Sequence, residues 1–170
     1  MRFVTLNFLA TVFIFCIAAS PATAETYTIS SSLPFADGSG ASDEVESECK
    51  LESKLPNFIK SAAKRGITVV LTDESLDDVE GKVLFIEVTH VLGTGGGAWS
   101  GPKAVSAKGE LREAGEVIGS FTSTRYSTGG AFGGFKGTCS ILGRCVKAMG
   151  KDIAKWLKNP TMDASLGDAQ

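Results

Sequence analysis

Histidine is nearly missing from this 170-residue chain, with a single copy, and neither charge sign dominates: 17 lysines and arginines stand against 19 aspartates and glutamates, a net −2. The near-balance excludes the global positive field that recruits nucleic acid. With His90 as the lone imidazole and only three scattered cysteines after Cys16, no compact ligand set for a metal exists, and oxygen-ligand loop spacing is absent too. No Gly-x-Ser-x-Gly elbow positions a nucleophilic serine for His90, which shares strand parity with Leu84, Ile86, Val88 and Leu92 and reads as a structural residue. Neither glycine loop supplies Gly-x-x-x-x-Gly-Lys-[Ser/Thr]: Gly134 runs through Phe135 before Lys136, and the loop from Gly93 to Pro102 leads into a strand. Ser61-Ala62-Ala63-Lys64 matches a bare Ser-x-x-Lys pattern without its companion motifs, and Ser61 points away from the apolar face of its helix. These absences leave no catalytic set, no cofactor and no required metal.

What is present begins with a leader. Phe3 to Ala19 is almost wholly apolar and is followed by Ser20-Pro21-Ala22-Thr23-Ala24. The pattern predicts a secretory signal peptide over residues 1–24, cleaved after Ala24, with the product periplasmic or secreted and without an integral membrane span. Cys16 follows the bulky Phe15, which argues against a lipid anchor. Cleavage removes one cation, Arg2, and no anion, so the remainder carries −3 and is long enough for one core.

Cys49, Cys139 and Cys145 then remain, an odd number for an oxidising compartment. One bridge and one spare thiol is the simplest arrangement. In a regular helix Cys139 and Cys145 lie about 9 Å apart along the axis and on different faces. An irregular helix start near Gly143 permits that local bridge, and packing of two helices lets Cys49 reach either partner.

Along residues 25–159 the elements alternate. Tyr27 to Phe35 reads as a strand, and Val45, Leu51, Leu55, Phe58, Ile59 and Ala62 recur at helical spacing, with acids early and Lys60, Lys64 and Arg65 late. Gly66 stops that helix and Ile67 to Thr72 is a β-branched run, completing a βαβ-like opening. Lys82 to Thr94 is a long strand pattern, and Lys103 to Leu111 with Val117 to Tyr126 predicts a hairpin joined through Arg112–Glu116. A last helix carries Ile141, Leu142, Val146, Met149, Ile153 and Trp156 before Asn159-Pro160. The expected fold is a single α+β domain: one mixed, largely antiparallel sheet of about four to five strands with two helices packed on it. Residues 160–170 read as a flexible tail.

Surface features are few. At 100° per residue, Arg144, Lys147, Lys151, Lys155 and Lys158 form a stripe about 80° wide opposite the apolar side of the last helix. The stripe is either a solvated face or a patch for an acidic envelope protein or an anionic envelope polymer. Trp99, Phe121, Tyr126, Phe132 and Phe135 edge a second candidate surface if the two glycine loops lie together. Gly143 and Gly150 each weaken a helix by up to about 1 kcal/mol, a cost compatible with close packing against the sheet.

The order of elements, the segment Gly109-Glu110-Leu111-Arg112-Glu113-Ala114-Gly115-Glu116-Val117-Ile118-Gly119-Ser120, and the helix Lys151-Asp152-Ile153-Ala154-Lys155-Trp156-Leu157 carry a resemblance. The chain resembles small bacterial envelope domains, the group of the curli secretion protein CsgG's periplasmic domain, the amino-terminal domain of TolB, and LpoB. That resemblance implies a periplasmic scaffold for protein contact or assembly and transfers no catalytic residue. The chain lacks the lipid-anchor cysteine of several relatives, the pore-forming hairpin and any propeller domain. The expected function is a non-catalytic exported binding or envelope-assembly adaptor. The alternatives are an envelope hydrolase or transferase, and a protein that self-associates through an exposed strand edge.

Overall fold

The computed structural model describes residues 24–64, 66–93, 102–128, 130 and 135–169. The expected leader through Thr23, Cys16, and Trp99 and Phe132 of the glycine loops lie outside the described residues.

Among the described residues, eight strands and α-helices follow in chain order: strand β1 (Glu25–Ser30), helix α1 (Leu51–Ala62), strands β2 (Ile67–Thr72), β3 (Lys82–Leu92), β4 (Lys103–Glu113) and β5 (Glu116–Ser127), helix α2 (Thr138–Trp156) and strand β6 (Ala164–Gly167). They form one mixed sheet in the order β2-β1-β3-β4-β5-β6. β1 lies parallel to both β2 and β3, as the βαβ-like opening requires, and β3-β4-β5 is an antiparallel meander. The fold is α+β, with six strands where four to five were expected.

The additional strand comes from the expected tail. Ala164–Gly167 has too little apolar content to announce itself, yet it pairs in parallel with Phe121–Thr124. Side chains hold it there: Asp168 accepts from Arg125 Nη1 at 3.0 Å and from the Tyr126 N–H at 3.1 Å, while Ser120 and Asp163 exchange hydrogen bonds.

The first helix is not continuous from Val45. A single π-helical turn, Val45–Cys49, ends at Lys50, whose left-handed backbone (φ 52°) breaks the chain direction before α1 begins. Within α1, Pro56 has no N–H for the Glu52 carbonyl. Leu33 N–H takes that place at 3.1 Å, tying the segment after β1 to the helix. β4 and β5 are joined by Ala114-Gly115, both at positive φ (50° and 84°), a two-residue turn of the kind whose twist matches a hairpin.

Both helices cover one face of the sheet. Leu51, Leu55 and Ile59 of α1 and Val146, Met149 and Ile153 of α2 meet Tyr27, Ile29, Leu84, Ile86, Val105 and Leu111 in one cluster. Each such buried aliphatic side chain contributes about 1.5–3 kcal/mol. The glycines of the Gly109–Ser120 segment have a steric role here. A side chain on Gly109 would collide with the Phe121 ring and one on Gly119 with Trp156, and these two aromatics meet edge to face at 5.0 Å.

The parity read for His90 is overturned by a bulge. The β3–β4 register slips between Val88 and His90, so Val88 and Val91 point to the helices while His90 and Leu92 turn outward and are exposed. Among the described residues nothing joins His90 to a serine or a carboxylate.

Candidate functional site

α1 and α2 cross in close contact, and Gly150 is why. A Cβ there would stand 2.8 Å from Phe58 Cβ and 3.0 Å from the Ile59 backbone nitrogen. The close approach expected of Gly150 therefore serves helix–helix packing rather than helix–sheet packing. Along the crossing, the two helices bound a groove of about 300 Å³ whose walls are Lys64, Lys147, Lys151, Lys155 and Lys158, with Phe58, Ala62 and Ala154 as its apolar part.

The helical periodicity that placed four of these lysines in one stripe now faces a second helix. At 1.5 Å rise per residue, Lys147, Lys151 and Lys155 repeat about every 6 Å along α2. Lys64 comes from the chain just beyond α1, outside what the stripe alone could show; only helix packing brings it alongside. Arg144, the first member of the expected stripe, does not line the groove, and its guanidinium lies against Gly130 instead.

Among the described residues no carboxylate is ion-paired with any of the five lysines. Asp152, the single acid of α2, is directed away to β5, where Arg125 Nε donates to it at 2.7 Å. That pairing raises the guanidinium's already high pKa, chiefly through the Asp152 hydrogen bond. The groove is thus a local concentration of positive charge on a net-negative chain.

The cysteine alternatives resolve around the same helices. Cys49, at the end of the π-helical turn, is bridged to Cys139 in the first turn of α2, with Cα atoms 4.7 Å apart. Cys145, the remaining disulfide candidate, is a buried free thiol whose Sγ points at the Lys103 carbonyl from 3.7 Å. Burial pushes its pKa up to about 11, opposite to what a nucleophilic thiolate needs.

A larger depression of about 550 Å³ lies on the sheet face opposite the helices, with Phe85, Leu76, Lys108, Glu87 and Thr122 around it. Most of its charges are neutralised in pairs, Lys108 with Glu87 at 2.8 Å and, beside it, Arg112 with Glu110 at 2.7 Å, while Asp163 accepts a hydrogen bond from Ser120 at 3.1 Å. The aromatic surface expected from the loops is not assembled among the described residues. Phe121 is core, whereas Tyr126 and Phe135 are exposed. Ser61 is exposed at the end of α1 and donates to the Phe58 carbonyl at 3.0 Å. No group of three histidine, cysteine or acidic side chains among the described residues is placed to hold a metal, and no described helix is long and apolar enough to cross a membrane.

No protein family matches the chain, and no curated protein matches it. Solved structures do. An uncharacterised protein superposes with a TM-score of 0.54 at 14% identity, over 81% of this chain and 94% of its own. The PelC dodecamer from Paraburkholderia phytofirmans gives 0.46 at 17% identity, over 79% and 91%. A Xanthomonas campestris protein of the family DUF330 gives 0.47 at 11%, over 82% and 87%. The likeness to the uncharacterised protein is one of fold, and that fold is α+β.

Proposed function

We propose that this protein is a non-catalytic, exported binding domain that holds an anionic polymer or an acidic polypeptide in the groove between α1 and α2. The observation that carries the reading is the run of groove lysines without a carboxylate among them on a chain that is otherwise acidic. An extended ligand with charges repeated every few ångströms suits lysines spaced about 6 Å apart, and each pairing contributes little alone, so affinity requires several in register. Export is supported by the leader and by the Cys49–Cys139 bridge, since such bridges persist in oxidising compartments. The resemblance to envelope domains of the CsgG, TolB and LpoB group belongs to the same reading, an envelope-assembly adaptor.

The test is titration of the purified protein with polyphosphate and with a polyuronate, using neutral dextran as control, at low and moderate salt. Binding of the polyanions that weakens with salt, and its loss in Lys147→Glu/Lys151→Glu/Lys155→Glu, is the expected result. Equal binding by the reversed variant, or no binding of the wild type at low salt, overturns the reading.

A further inference from the structure

The sheet ends in two edges that differ in kind. β6 is four residues long and stops at Gly167, with a left-handed backbone (φ 72°). Arg125 and Asp168 close over its end. The other edge, β2, has none of the usual defences: Ile67-Thr68-Val69-Val70-Leu71-Thr72 contains no charge, proline or glycine, and its register with β1 runs without a bulge.

The direction of its free hydrogen-bonding groups follows from the ladder. Glu25 N–H bonds to the Gly66 carbonyl at 2.9 Å and Ser31 N–H to the Thr72 carbonyl at 2.8 Å. Because a strand residue presents its N–H and C=O to the same side, and successive residues alternate, Thr68, Val70 and Thr72 face β1. Ile67, Val69 and Leu71 therefore offer their N–H and C=O groups outward, and none of them has another backbone partner among the described residues. On the open face beside them, Val70 is 43% exposed, one of the larger apolar side chains left in solvent.

The two ends of β2 carry opposite charge. Exposed Lys64 precedes the strand, and exposed Asp73 and Glu74 follow it. None of these three is in an ion pair among the described residues. A strand laid antiparallel along this edge brings its own start to the anionic end and its own end to the cationic one, so a second copy of β2 is the complementary partner.

We propose that two copies of this chain pair antiparallel through β2, with the two-fold axis at Val69. Ile67 then opposes Leu71 and Thr68 opposes Val70, which covers the exposed valine. The outward N–H and C=O groups of Ile67, Val69 and Leu71 are satisfied between copies, and Lys64 of each copy approaches Asp73 and Glu74 of the other. The six-stranded sheet becomes one of twelve, by an isologous contact that closes on itself rather than growing into a fibre. Lys64 also lines the α1–α2 groove, so pairing of the copies is measured with no polyanion present.

Light scattering on the purified protein across a concentration series, with amide exchange at both ends of the series, tests it. The mass should rise from one chain to two. Protection should appear with concentration at Ile67, Val69 and Leu71, while Thr68, Val70 and Thr72 are protected throughout by β1. Glu74→Lys and Lys64→Glu should each weaken the dimer roughly tenfold at low salt, and the two together in one chain should restore it. Val69→Pro, which removes an outward N–H that β1 does not use, should leave a monomer with its circular dichroism intact. If that variant fails to fold, the charge exchange decides. A monomer at every concentration, protection that ignores concentration, or a double exchange as weak as either single one overturns the proposal.

Discussion

Gly150 lies so close to Phe58 that a side chain at position 150 would begin 2.8 Å from the Phe58 Cβ, with the Ile59 and Phe58 backbone 3.0 Å away. Backbone cannot rotate aside as a flexible side chain can. Gly150→Ala should therefore push α1 from α2, a strain of about 1–3 kcal/mol partly offset by about 1 kcal/mol of better helix propensity. Urea denaturation of the variant should show a net loss of stability, in contrast to Gly143→Ala, where a Cβ meets nothing and the same substitution should stabilise.

The Cys49–Cys139 bridge joins residues 90 positions apart and ties the turn before α1 to the start of α2. Cys49→Ser/Cys139→Ser should lower stability by about 2–4 kcal/mol, read from the denaturation midpoint. Thiol counting offers a second check: the native protein should react at no position among Cys49, Cys139 and Cys145, and the denatured, unreduced protein at Cys145 alone.

Ala114 occupies the first of two positive-φ positions in the β4–β5 turn, a conformation that disfavours a Cβ. Ala114→Asn creates the Asn-Gly pair suited to this turn and should stabilise the fold by roughly 0.5–1 kcal/mol, visible as a higher midpoint with an unchanged slope.

Three groups set the pH limits. Glu25 accepts from the Tyr27 hydroxyl at 2.5 Å and pairs with Lys82 at 3.0 Å, and these contacts hold its carboxyl below the usual range, the tyrosine bond being the larger cause. Its contribution is present above the ordinary carboxylate pKa and is lost as pH falls through the lowered value. Burial, and then the Glu25 hydrogen bond, push the Tyr27 phenol upward. Cys145 acts at the alkaline end. Its pKa rises from about 9 to about 11 on folding, so its contribution is complete below pH 9 and disappears as pH climbs through 11. Denaturation midpoints across pH should bend down at both ends, and Cys145→Ala should flatten the alkaline bend between about pH 9 and 11 while the part due to Tyr27 persists.

Arg125 joins three elements, donating to Asp152 of α2 and to Asp168 just beyond β6. Asp168→Ala should release β6 while leaving the meander in place, since it removes an ion pair and an acceptor for the Tyr126 N–H. Amide exchange should then accelerate at Ser165–Gly167 and Tyr126 more than at Leu84 or Val105.

Much of the fold was legible because its signals are local. The β-branched run at Ile67–Thr72, the amphipathic repeats in Leu51–Ala62 and Thr138–Trp156, and the meander are each written in a few consecutive residues. The bulge at Thr89 was not, since one extra residue in β3 is set by what β4 offers opposite it, and it exchanged the faces of His90 and Val91. β6 was missed for a related reason: its attachments, Arg125 and Ser120, stand more than forty positions away.

The sequence alone determined the periodicities, and with them which lysines share a face of α2, that the three cysteines beyond residue 24 are too few among themselves for more than one bridge, and that histidine chemistry has little to draw on. These follow from residue type and from fixed helical and strand geometry. Tertiary structure alone decided that Lys64 joins the lysines of α2, that Arg144 leaves them, that Cys49 meets Cys139, and that β2 rather than β6 is the open edge. The reason is the same throughout: each outcome rests on contacts between segments distant in the chain, whose geometry is set by how α1 packs on α2 and by which strands find places in the sheet.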